Sequence, residues 1–160
     1  MVSSARRRRA LRGCNAAFLI SSLYPLRYPS RTISELAEHN CLGYTLSSVT
    51  GVDQWVFGAK GDVTAHVGGN LRANNGEALR TAAIAGQGLA YLPTFIVADD
   101  MRAGTLVALD LDQPTVEFGG IYAVFLPDRH PAAKVRAFID FIANRFSPEP
   151  PWDKKLKPAA

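Results

Sequence analysis

Few residues of this chain combine the type and the spacing that chemistry needs. Ser47 ends a strand-like run, residues 42–47, and Ser48 follows it into a turn at Val49, Thr50 and Gly51. A serine nucleophile requires a base, yet no G-x-S-x-G elbow is present and His39, His66 and His130 are scattered. His66 falls on the polar side of the alternation set by Val63, Ala65 and Val67, so it reads as exposed. Asp99 with Asp100 reads as a solvated helix face, and Asp110 with Asp112 as a polar loop. Cys14 and Cys41 lie far apart without zinc-site spacing, so no metal or cofactor is expected. Gly86 and Gly88 end a helix, whereas the glycines of a dinucleotide fingerprint must open one. Binding is the chemistry that remains. Hydroxyls and free amides after a strand end suit a small ligand. The helix start at Asn74, Asn75 and Gly76 offers further amides, although Glu77 competes for its positive end.

The elements that must position these groups follow from periodicity and punctuation. Residues 72–93 read as a helix and a strand. Asn74 and Glu77 form a capping-box-like start, and Leu79, Ala82, Ala83 and Gly86 make a narrow face of small residues. Gly86 or Gly88 stops the helix, and LAYLP follows as a buried strand. Pro93 is placed to open a second helix, TFIVADDMRAG, which Gly104 stops; TLVAL is the next strand. Upstream, SRTISELAEHNC reads as a short helix with Thr32 or Ser34 as cap, and QWVFGAKGDVTAHV as short strands. IYAVFLP is apolar on both faces, which predicts a central buried strand. The final helix carries a stripe of Val135, Phe138, Ile139, Ile142 and Phe146. The order of strands and helices predicts an α/β sheet covered by helices, with ligands at the carboxyl ends of the strands.

Charge is unevenly placed in the 160 residues. The formal net charge is +4, but residues 1–30 hold six arginines and no acid, while the rest hold 12 basic and 14 acidic side chains. The basic excess therefore belongs to the N-terminal segment, and residues 31–160 have none with which to attract a phosphate backbone. No run approaches the ~20 apolar residues of a membrane span. We expect residues 1–27 to be a basic, disordered or non-family segment, residues 28–147 the domain, and residues 148–160 a disordered tail.

The phrases NNGEALRTAAIAGQGLAYLP, AGTLV and VRAFIDF, with SELAEHNCLGYTLS ahead of them, give residues 28–147 a resemblance. Their order and spacing resemble the C-terminal effector-binding domain of LysR-type transcriptional regulators. The resemblance implies a periplasmic-binding-protein-like (type II) α/β effector domain, mainly its second lobe plus the C-terminal strand and helix of the first. It implies a cytoplasmic, oligomeric regulator that binds a small-molecule effector and is not an enzyme. Carried over by position, the ligand contacts are Ser47, Ser48 and Val49 in the loop after the lobe's first strand. Asn75 joins them from the helix start, and Tyr122 from the point where the chain crosses back to the first lobe. DNA would be bound through a helix-turn-helix that this sequence does not show, so a truncated form unable to bind DNA by itself is expected. The alternatives are a small α/β hydrolase or transferase using Ser47 or Ser48, and a dimerisation module acting on an intact paralogue. With most of the first lobe missing, the last strand and helix should lack partner surface unless residues 16–23 or another chain cover them.

Overall fold

The computed structural model describes residues 7–14, 16–22, 31–47, 49–125, 132–154 and 156. Its centre is a five-stranded mixed sheet in the order β6-β3-β7-β2-β8, with β2 at Ala16–Ser21, β3 at Cys41–Tyr44, β6 at Arg72–Ala73, β7 at Leu89–Pro93 and β8 at Leu106–Ala108. β3 runs parallel to β6 and β7, while β2 is antiparallel to both β7 and β8. Leu89, Ala90, Tyr91 and Leu92 of β7 are all at most 1% exposed. A strand buried on both faces reads as a continuous apolar run, as LAYLP does.

Alternation along the strands sorts the core into two layers. Ala17, Leu19, Leu42, Ala90 and Leu92 pack with Leu79, Ala83 and Val97, which come from the helices α1 (Gly76–Ile84) and α2 (Thr94–Ala103). Ile20, Cys41, Leu89 and Tyr91 face the other way. They pack with Leu36 of the 3-10 helix Ile33–Glu38 and with Trp55, Phe57 and Ala65 of the hairpin β4 (Gln54–Phe57) and β5 (Val63–His66). Each leucine, isoleucine, valine or phenylalanine among them contributes roughly 1.5–3 kcal/mol when fully buried. α1 and α2 stop where Gly86 and Gly104 take left-handed φ of 71° and 75°, a conformation that costs glycine little. His66 is exposed, as the alternation requires.

A smaller part consists of an antiparallel ribbon, β1 (Arg7–Cys14) with β9 (Phe118–Phe125), and the helix α3 (Ala133–Arg145), which lies against β1. Three expectations change here. Residues 7–14 and 16–21 form strands, and β2 sits in the middle of the main sheet with Leu19 and Ile20 buried; pairing with two distant strands supplies the partners that its own sequence does not announce. β9 is not a central strand: in its two-stranded ribbon Tyr122 and Val124 are about half exposed. Residues 150–154 dock on α2: the Arg102 guanidinium donates to the carbonyls of Pro151, Trp152 and Lys154, the Thr94 hydroxyl bonds Asp153 at 2.6 Å, and Trp152 meets Phe95 and Phe146 edge-on.

Candidate functional site

A cavity of about 350 Å³ opens at the carboxyl ends of the parallel strands β3 and β7. Tyr44 ends β3, and Leu46, Ser47, Val49 and Thr50 come from the loop behind it. Tyr91, Leu92 and Pro93 end β7. Gly76 opens α1, and Phe95 and Ile96 lie in the first turn of α2. Two helix starts and a loop thus converge where ligands sit in sheets of this kind.

The loop is held by its own polar groups. Ser47 Oγ accepts from the amides of Val49 (3.1 Å) and Thr50 (3.0 Å), the local closure for which a serine in a turn is suited. Tyr44 N donates to Thr50 O, Val56 N to Val49 O, and Trp55 Nε1 to Gly51 O, tying the loop to β3 and β4. Thr50 is 1% exposed and its hydroxyl has no hydrogen-bond partner among the described residues.

The start of α1 is capped by Asn75, whose side-chain oxygen accepts from Glu77 N (2.8 Å) and Ala78 N (3.4 Å). Asn75 rather than Asn74 is thus the cap. Glu77 does not reach back to it; its carboxylate meets Arg80 at 3.2 Å. Gly76 allows α2 to approach, because a Cβ there would stand 2.6 Å from Ile96 Cδ1. Under the cavity, Tyr91 donates its hydroxyl to Val56 O and accepts from Val116 N, and burial pushes its phenol up to about 12. Burial likewise pushes the Cys41 thiol up to about 12, so it is a neutral core group.

Of the residues singled out from sequence, Ser47 and Val49 line the cavity. Ser48 lies outside the described residues. Asn75 is next to the cavity-lining Gly76, but its carboxamide oxygen is spent on the cap. Tyr122 lies on the ribbon, 49% exposed, and is not part of the cavity wall. The reading missed Tyr44, Tyr91, Leu92, Pro93, Phe95 and Ile96. The signal was available: two strands had been recognised, and ligands gather at strand ends. Among the described residues no histidine or acid lines the cavity, and Ser47 accepts backbone amides. A shallower depression of about 360 Å³ lies on the hairpin side, between Val49, Val56, Ala59, Lys60, Gly61, Val116 and Glu117. Among the described residues no three His, Cys, Asp or Glu side chains cluster to hold a metal ion, and no helix is long and apolar enough to cross a membrane.

The fold is an α/β lobe with a cavity at the ends of its parallel strands, and comparison with known proteins gives it a family. The chain belongs to the LysR substrate binding domain family, whose model matches residues 7–147. It is 31% identical over 115 residues to the HTH-type transcriptional regulator CrgA of Neisseria meningitidis, covering 71% of this chain and 38% of that one. It is 33% identical over 117 residues to the HTH-type transcriptional regulator PtxR of Pseudomonas aeruginosa, covering 72% and 36%. The structure of the CrgA regulatory domain superposes with a TM-score of 0.74 at 25% identity, covering 91% of this chain and 71% of that one. The architecture is therefore that of a periplasmic-binding-protein-like (type II) effector domain. It comprises mainly the second lobe, with the C-terminal strand and helix of the first. The chain spans little more than a third of the length of these curated relatives. Nothing in these likenesses supports a hydrolase or transferase built on Ser47 or Ser48.

Proposed function

We propose that this chain is the effector-binding part of a LysR-type transcriptional regulator, and that it holds a small molecule in the cavity between the loop of residues 45–50, the start of α1 and the start of α2. The carrying observation is the position of that cavity at the carboxyl ends of β3 and β7, with the first turns of two helices converging on it. Ser47 and Val49 contribute to its wall, and Asn75 fixes the helix start. Tyr122 serves the crossing between lobes. Contact with DNA belongs to a helix-turn-helix domain of the kind named in the relatives, the place of action is the cytoplasm, and the assembly is a homo-oligomer.

The measurement is a small-molecule screen by amide chemical shifts of the labelled chain. Compounds that bind should first move the signals of residues 47–50, 76–78 and 95–96. Shifts gathered instead around Lys60 and Glu117 would transfer the site to the second depression. A dimerisation module remains as a second reading, favoured by Phe138 and Phe141 of α3, each 65% exposed.

A further inference from the structure

The two helix starts that wall the cavity are anchored differently. α1 carries its own anchor: Asn75 accepts from the amides of Glu77 and Ala78, and Glu77 sets an acid in the first turn. α2 has neither. Pro93 stands at its N-cap and makes no side-chain hydrogen bond, and no acid stands in its first turn. Yet that turn supplies Phe95 and Ile96 to the cavity wall. What its own residues lack comes from residues 150–154, beyond the stretch 7–147 that the family model matches. The Asp153 carboxylate accepts from the hydroxyl of Thr94, the first residue of the helix, at 2.6 Å, where the helix dipole favours a negative charge. Trp152 meets the Phe95 ring edge-on at 6.2 Å, and the Phe146 ring at the end of α3 at 4.9 Å. Arg102 lies eight residues beyond Thr94, roughly 12 Å along the helix axis. Its guanidinium donates to the carbonyls of Pro151, Trp152 and Lys154. The segment is thus fastened at both ends of α2.

We propose that Trp152 and Asp153 are positioning residues of the effector cavity. Neither lines it. Both fix the first turn of α2, so that Phe95 and Ile96 keep their place in the wall. Residues outside the matched domain then set affinity, and a ligand that packs on Phe95 is felt at Trp152. The proposal rests on this cavity being the effector site; it adds a part of the site that the family likeness does not contain.

Hydrogen exchange and ligand titration on the full 160-residue chain test it, with Asp153→Ala, Trp152→Ala and the conservative Trp152→Phe. In an α-helix the amides of residues 98–100 bond the carbonyls of residues 94–96, so they report the first turn of α2. Residues 80–82 report the first turn of α1 in the same way. Both alanine variants should speed exchange at residues 98–100 at least about threefold and leave residues 80–82 within about twofold. Trp152→Phe, which keeps an aromatic ring against Phe95, should stay near the unchanged chain. Benzoate and benzamide, of one size and different charge, are the probes of the cavity, read at the amides of residues 47–50 and 76–78. A probe that binds there should also move the Trp152 indole signal, and should bind the alanine variants at least about threefold more weakly. Faster exchange in both helices alike, or in neither, overturns the proposal, because the segment then adds only general stability or nothing. Exchange that changes only in α2 with unchanged affinity overturns the positioning role and leaves the cavity standing. Shifts from both probes elsewhere, or from neither, remove the cavity reading and the proposal with it.

Discussion

Arg80 of α1 and Asp100 of α2 form a two-point ion pair: Nε donates to one carboxylate oxygen at 2.5 Å, and a terminal guanidinium nitrogen to the other at 2.8 Å. Asp100 is 8% exposed, so its charge is held out of water by this partner. The hydrogen bonds that Arg80 donates to Asp100 raise the Arg80 pKa above its ordinary value. The pair clamps together the two helices whose first turns wall the cavity, one turn from Gly76 and from Ile96.

Removing one partner should therefore cost more than a surface ion pair. Asp100→Ala is expected to lose about 1.5–3 kcal/mol, the range for hydrogen bonds to charged groups. Asp99→Ala, whose side chain is 96% exposed beside Arg102, should stay within about 0.5 kcal/mol. Urea unfolding of both variants checks the contrast. Arg80→Ala combined with Asp100→Ala should cost less than the sum of the single changes, because each alone leaves the other charge unpaired.

Gly76→Ala separates binding from stability. The added Cβ meets the tip of Ile96, a flexible side chain that can turn aside into the cavity. The helix gains a residue of better propensity at the same time. Net stability should change by less than about 1 kcal/mol, while ligands of the cavity bind more weakly. Unfolding midpoints and titrations on the same preparation decide the point; unchanged binding would mean that Ile96 moves away from the ligand.

Alkaline pH should unfold the chain through Tyr91 and Cys41. Both have folded pKa values raised to about 12, from 10.0 and 9.0 respectively, chiefly by burial. A raised folded pKa gives stability that is complete below the unfolded pKa and lost as pH rises through the folded one. Stability should accordingly fall between about pH 9 and pH 12. The loss should be smaller in Tyr91→Phe, which has no phenol to ionise. In the unchanged chain one tyrosine should titrate late in the ultraviolet, together with the loss of native circular dichroism.

Locally written features were legible in the sequence. Glycine stops at Gly86 and Gly104, a cap within one residue of Asn75, and the apolar run of β7 all depend on neighbours in the chain. The central place of β2 was not, because its pairing with β7 and β8 joins residues some 70 to 90 positions apart, and no local pattern in an arginine-led segment encodes that. β9 misled for the same reason: its apolar residues report a propensity for strand, and the number of strand partners is a tertiary property. The docked C-terminal residues were hidden by their proline and lysine content, although Trp152 in so polar a segment was a sign of a packed site. For the cavity, the Ser47 hydroxyl followed from its place after a strand end, and Val49 from the family resemblance. Tyr91, Phe95 and Ile96 required the third dimension, since they come from other elements that meet the loop only in the folded chain.

The last prediction concerns α3. Val135, Phe138, Ile139, Ile142 and Phe146 make an apolar stripe in sequence, yet Ile139 is the one residue of the described helix that is buried. Phe138 and Phe141 are each 65% exposed, and Tyr122 and Val124 of β9 are about half exposed. Apolar surface of this extent on a soluble domain favours association. The chain should therefore sediment as concentration-dependent oligomers. Phe138→Glu with Phe141→Glu should shift it toward monomer at nearly unchanged stability, because neither side chain is inside the core. Ile139→Ala should instead destabilise the helix by about 2–5 kcal/mol, the cost of emptying a buried site. Residues 121–146 should also exchange their amides earlier than residues 77–92, where Leu79, Ala83, Leu89 and Leu92 are fully buried. Sedimentation velocity on the three chains, with hydrogen exchange on the unchanged one, reads all of this. A monodisperse monomer whose most protected amides lie in residues 121–146 would locate the stable core in the ribbon and α3 rather than in the five-stranded sheet.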